Sequence, residues 1–206
     1  NGGLMLAAAS EMDQQRNAAF GVNIISELSN GNFLEFEPQF KKLLAWLLTQ
    51  DSASLLEEKK ISLLAVSDGT ASKVSDWLEQ NFPLWQVQNC KEQEGLENCL
   101  SEISLIVVST SATFEQSILS SAIEDLQSRS VPMLYLHQDS WNTSDLTPTV
   151  LNPMGFFMQS RGGPGNYFSQ DTANWNNYTE MLASKKSTVG ISDLITRLES
   201  GDFDFN

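Results

Sequence analysis

Between residues 61 and 136, short uninterrupted apolar runs alternate with longer stretches in which apolar residues recur every three or four positions. Residues 61–66, 84–87, 104–109 and 132–136 are the runs. The amphipathic stretches are 71–81, through Val74, Trp77 and Leu78, and 114–128, through Phe114, Ile118, Ala122, Ile123 and Leu126. A strand apolar on both sides must be covered on both faces, and strands joined through a helix of about a dozen residues run parallel. This pattern predicts an α/β fold: a three-layer doubly wound sandwich with right-handed crossovers and a mainly parallel sheet of about four to five strands. A further short helix is expected within 93–102.

The flanks read differently. Residues 16–28 (R-N-A-A-F-G-V-N-I-I-S-E-L) and 37–49 have helical spacing, the second with Pro38 near its start and Phe40, Leu43, Leu44 and Leu47 on one face. Asn30-Gly31-Asn32 separates the two. After Trp141 come loops rich in Gly and Pro, with helices expected at 178–185 and 191–200. The expected division is 1–57 for N-terminal helices packing on the core, 58–145 for the parallel core and 146–206 for a loop-rich helical extension, all within one compact domain.

At 206 residues the chain buries a proper core without metal or crosslinks. With 26 acidic and 12 basic side chains its net charge is −14, which repels phosphate backbones, and the basic residues are scattered, so nucleic acid is excluded as a partner. No apolar run approaches the roughly 20 residues that span a bilayer. Cys90 and Cys99 lie close enough in sequence for a disulfide, and two free thiols fit equally well. Asn1-Gly2-Gly3 has neither an initiator Met nor a signal-peptide pattern and reads as the start of a piece excised from a longer or processed chain.

Ligands of open α/β sheets gather at the carboxyl ends of the strands, so chemistry is sought there. After the first run, Ser67-Asp68-Gly69-Thr70-Ala71-Ser72 opens a helix and is a candidate phosphate cradle for flavin or nucleotide. Read structurally, it is a turn with Gly69 for conformation and Thr70 or Ser72 as the N-cap. After the third run, Ser109-Thr110-Ser111 offers hydroxyls at a nucleophile's position, yet lacks the glycines of a nucleophile elbow. Capping is the alternative reading there. After the fourth run come His137, the chain's single histidine, then Asp139 and Trp141. With Asn166 and Tyr167 these define a candidate cleft of Asp68, Thr70, Ser109, Ser111, His137, Asp139, Trp141, Asn166 and Tyr167. No catalytic set and no metal set assembles from these residue types, and no cofactor is expected.

Four pieces, F-K-K-L-L-A-W-L-L at 40–48, L-I-V-V-S at 105–109, P-M-L-Y-L-H-Q-D-S-W at 132–141 and M-G-F-F…G-G-P-G-N-Y-F-S at 154–169, carry a resemblance in order and spacing. Across roughly residues 17–180 the chain resembles the N-terminal module of secreted bacterial, enhancin-type, mucin-degrading zinc metalloproteases, the group that includes accessory colonization factor D and the immunomodulating metalloprotease. The resemblance implies a glutamine-amidotransferase-like or flavodoxin-like domain that has lost the amidotransferase cysteine, secreted or at the cell surface. It also implies a zinc catalytic motif elsewhere in the polypeptide, so the expected partners are downstream domains of the same chain and glycoprotein or mucin substrate. The leading expectation is a non-catalytic accessory domain. The alternatives are an amidotransferase-like serine hydrolase using Ser109 or Ser111 with His137, and a flavin or nucleotide binder at 67–72.

Overall fold

A computed structural model describes residues 7–12, 15–48, 55–91, 95–137 and 145–156. In chain order its elements are β1 (Ala7–Met12), β2 (Gln15–Phe20), α1 (Ile24–Ser29), a 3₁₀ turn (Leu34–Phe36), α2 (Glu37–Leu47), β3 (Lys59–Leu64), α3 (Asp68–Asn81), β4 (Trp85–Cys90), α4 (Leu96–Leu100), β5 (Leu105–Val108), α5 (Gln116–Ser128), β6 (Met133–Leu136) and α6 (Thr147–Leu151). The six strands form one sheet in the order β1-β2-β6-β5-β3-β4. The β1–β2 pair is antiparallel and every other pair is parallel.

Strand periodicity sorts the core into two halves, because successive side chains point to opposite faces. Ala18, Phe20, Ile61, Leu63, Leu105, Val107, Leu134 and Leu136 pack with α1, α2 and α3. Ala19, Leu64, Ile106, Val108, Met133 and Tyr135 pack with α4, α5 and α6. Three layers result, helices–sheet–helices, as the alternation of runs and amphipathic stretches predicts. All four residues of β5 and all four of β6 are buried, the burial expected of strands covered on both sides.

The described residues up to Phe20 depart from their expected structure. Helical spacing across 16–28 predicts a helix from Arg16, but Gln15–Phe20 is a strand and the helix begins at Ile24. Strand β2 lies between β1 and β6 with Gln15, Asn17, Ala18, Ala19 and Phe20 all buried, so its polar and apolar residues show no period-2 alternation. A short segment without that alternation does not distinguish strand from helix. Sheet pairing decides, and the N-terminal segment adds two strands to a sheet of six rather than helices alone. The helices expected at 178–185 and 191–200 lie outside the described residues.

Two local details set up the strand ends. The N-cap of α3 is Ser67, one turn earlier than the expected Thr70 or Ser72, and Gly69 falls inside the first helical turn. Cys90, the last residue of β4, is disulfide-bonded to Cys99 in α4, and no other cysteine exists in the chain. The Cys99 carbonyl accepts from Ser62 Oγ on β3 and Gln88 Nε2 on β4, each at 2.6 Å, so α4 is held against both strands.

Candidate functional site at the carboxyl ends of the strands

The chain passes from β3 outward to β4, then returns to the other side of β3 to lay down β5 and β6. Where the direction of winding reverses, the loops leaving β3 and β5 diverge and open a crevice. A cavity of about 280 Å³ occupies that place, lined by residues 65–68 after β3, 89–91 at the end of β4 and 112–114 after β5. Its inner wall is apolar, with Ala65, Val66 and Phe114 each buried. Its mouth is polar: Lys91 Nζ lies 3.1 Å from Asp68 Oδ1, and Asn89 Nδ2 donates to that same oxygen at 3.3 Å.

Ala65 has a positive φ of 54°, an unusual conformation for a residue with a side chain. It turns the chain out of β3, and its carbonyl accepts from the Ala112 amide at 3.1 Å. The Ser67 amide donates to Ser111 Oγ at 2.9 Å, and Ser67 Oγ donates to Thr70 Oγ1 at 3.1 Å. The loops after β3 and β5 are thereby tied together. Asp68 stands in the first turn of α3, so a carboxylate occupies the end of the helix dipole where a phosphate would sit. The candidate phosphate cradle at 67–72 therefore presents negative charge to an anion.

The hydroxyls after β5 have structural positions. Ser109 is 1% exposed, its amide donates to the Leu64 carbonyl, and its Oγ has no hydrogen-bond partner among the described residues. No Ser109–His137 pair is made. Ser111 Oγ is the acceptor for the Ser67 amide. The His137 amide donates to the Phe20 carbonyl at 3.0 Å, and His137 Nδ1 shares a hydrogen bond of 2.9 Å with the Tyr135 hydroxyl. Burial pushes the Tyr135 hydroxyl above the ordinary 10.0, against smaller opposing pulls from the Thr110 and Thr147 hydroxyls beside it. The imidazole is thereby engaged at Nδ1 by a neutral phenol.

The cavity thus brings Asp68 together with the loop holding Ser111, while Thr70, 8% exposed, sits just behind. Ser109 and His137 end neighbouring strands but are not among its lining residues. Asp139, Trp141, Asn166 and Tyr167 lie outside the described residues. Sequence reading overlooked Asn89, Lys91 and Phe114 at the cavity, and Tyr135 beside His137. The signal for Tyr135 was present, because residues two apart on a strand share a face. Among the described residues no group of three or more His, Cys, Asp or Glu side chains is placed to hold a metal ion, and no helix is long and apolar enough to cross a membrane.

Comparison with known families matches residues 1–167 to the immunomodulating metalloprotease N-terminal domain. The chain belongs to that family. A curated relative, the immunomodulating metalloprotease of Pseudomonas aeruginosa, is 26% identical over 170 residues, which cover 82% of this chain and 17% of the relative. The chain therefore spans about a sixth of that relative's length. Among solved structures, the IMPa metallopeptidase from Pseudomonas aeruginosa and the same enzyme in complex with T-antigen each match at 22% identity with a TM-score of 0.57, over 73% of this chain and 16% of theirs. IMPa in complex with an O-glycopeptide matches at 20% identity with a TM-score of 0.55. These structures share the fold. The resemblance carried by 40–48, 105–109, 132–141 and 154–169 is thus a family membership.

Proposed function

We propose that this chain is a non-catalytic accessory domain of a secreted bacterial metalloprotease, and that its strand-end face contacts glycoprotein substrate of the mucin type. The observation that carries the reading is how the strand-end side chains are engaged. Ser111 holds the Ser67 amide, Asp68 faces Lys91, His137 is bonded to Tyr135 and Ser109 is sealed in the core. Ser111 and Asp68 fix loops around an open crevice, Ser109 is buried out of reach and His137 is held by Tyr135, which suits binding rather than reaction.

The relatives support the biological setting. The curated relative is a metalloprotease several times longer than this chain, and solved relatives have been captured with T-antigen and with an O-glycopeptide. The remaining domains of the same polypeptide, with their zinc site, are the first partners in this reading. The Cys90–Cys99 disulfide fits an oxidising compartment at or beyond the cell surface.

Titration of the 206-residue chain with a defined mucin O-glycopeptide tests the proposal. Saturable binding that is lost when Trp141 and Tyr167, the aromatic residues assigned to the cleft, are replaced by alanine is the expected result. Unchanged binding in variants that melt like the parent contradicts the assigned contact. Labelling by a fluorophosphonate that disappears in His137→Ala contradicts the non-catalytic reading.

A further inference from the structure

We propose that the cavity at the ends of β3, β4 and β5 binds one uncharged sugar ring. The inference deepens the glycoprotein-binding reading and rests on it, but the chemistry comes from the cavity itself. Its volume of about 280 Å³ lies just below the usual range of drug-sized ligand pockets, and suits a single ring of about a dozen heavy atoms rather than a chain of rings. The wall offers Ala65, Val66, Ala112 and the Phe114 ring, all able to cover the C–H face of a pyranose.

The polar mouth selects against charge of either sign. Asp68 repels an anionic group, and the net charge of −14 strengthens that repulsion. Lys91, 3.1 Å from Asp68, already supplies the cation that the carboxylate attracts and repels a second one. A neutral ligand that both donates and accepts hydrogen bonds meets both groups favourably. Hydroxyls do so.

Asn89 adds the third element. Its Nδ2 donates to Asp68, but its Oδ1 is sealed from water and has no donor among the described residues. A buried acceptor without a donor is a standing cost. The side chains around it are easily displaced: Lys91 and Asp68 are 64% and 77% exposed, and such surface pairs contribute little to stability. A vicinal diol entering between Asp68 and Lys91 donates one hydroxyl to Asn89 Oδ1 and the other to the carboxylate, while Lys91 donates to a ring oxygen. The cavity wall is rigid enough for this, because the disulfide fixes Cys90 between Asn89 and Lys91.

Saturation-transfer NMR on the 206-residue chain tests the assignment, with methyl β-galactopyranoside, N-acetylneuraminic acid and galactosamine as neutral, anionic and cationic probes. The expected result is binding of the neutral probe at least tenfold tighter than either charged one. Asn89→Leu is expected to weaken the neutral probe at least tenfold, and Asp68→Asn, at an exposed position that leaves folding intact, to raise binding of the anionic probe at least threefold. No binding of the neutral probe, equal binding of the anionic probe, or an unaffected Asp68→Asn variant overturns the proposal. Titration with a neutral O-glycopeptide separates this inference from the broader reading: equal binding by the parent and by correctly folded Asn89→Leu overturns the pocket assignment alone, whereas a glycopeptide that fails to bind the parent overturns both. Tighter binding of the glycopeptide than of the glycoside supports a protein-borne sugar.

Discussion

Burial holds the Tyr135 hydroxyl protonated past the pH at which a free phenol ionises, and this makes one residue visible in the pH dependence of the whole fold. Its folded pKa is raised above the unfolded value of 10.0, so its contribution is fully present below that pH. It is then lost as pH rises toward the folded value, because the unfolded chain releases the proton first. Tyr135→Phe removes the hydroxyl bonded to His137 and is expected to lower stability by about 1 kcal/mol at pH 7. Urea unfolding at pH 7 and at pH 10.5 checks both parts: the variant's deficit shrinks at the higher pH. Asn17 makes the opposite case. It is fully buried in β2, and neither atom of its carboxamide has a hydrogen-bond partner among the described residues. Asn17→Leu, similar in size, is expected to raise stability by about 1 kcal/mol, read as a higher melting temperature. At this scale the sequence is only partly legible. His137 stands out by composition and strand position, but its partner is a tyrosine that looks like a core residue. Asn89 and Lys91 become neighbours of Asp68 only through the pairing of β3 with β4, a long-range register that no local pattern encodes.

Elements were legible where two periods compete clearly. Strands β5 and β6 are continuous apolar runs, β3 is mostly apolar from Ile61 on, and α3 and α5 have one apolar stripe each, so their order specifies parallel pairing. Strand β2 escaped because alanine favours helix locally while pairing to β1 and β6 favours strand, and pairing prevailed. The disulfide was one of two open readings, since nine residues of separation are compatible with a bridge without requiring one. Replacing both Cys90 and Cys99 by serine is expected to cost about 2.5 kcal/mol, the loop-closure value for a loop of this length. Chemical denaturation of the double variant, set beside the oxidised parent under non-reducing conditions, measures that loss. Because α4 is anchored through the Cys99 carbonyl to Ser62 and Gln88 as well, the element should remain in place and the sheet should still form.

For the whole molecule, a three-layer sheet sandwich sets the cavity at its winding reversal, where such folds bind ligands. Fold class followed from the sequence pattern because layers are a collective property of many residues. Function followed less directly, because it depends on which few side chains converge, and those come from three separate strand ends. What converges here is a crevice whose loops are held by the Ser111 hydroxyl and by Asp68 paired with Lys91, with His137 bonded to Tyr135 at the neighbouring strand end. The most direct test is native mass spectrometry of the 206-residue chain mixed with a defined O-glycopeptide, which reads complex formation and chemistry in one spectrum. The account predicts a one-to-one complex with the peptide mass unchanged after prolonged incubation. A shortened peptide, or a covalent adduct on the chain that is lost in His137→Ala, would contradict it.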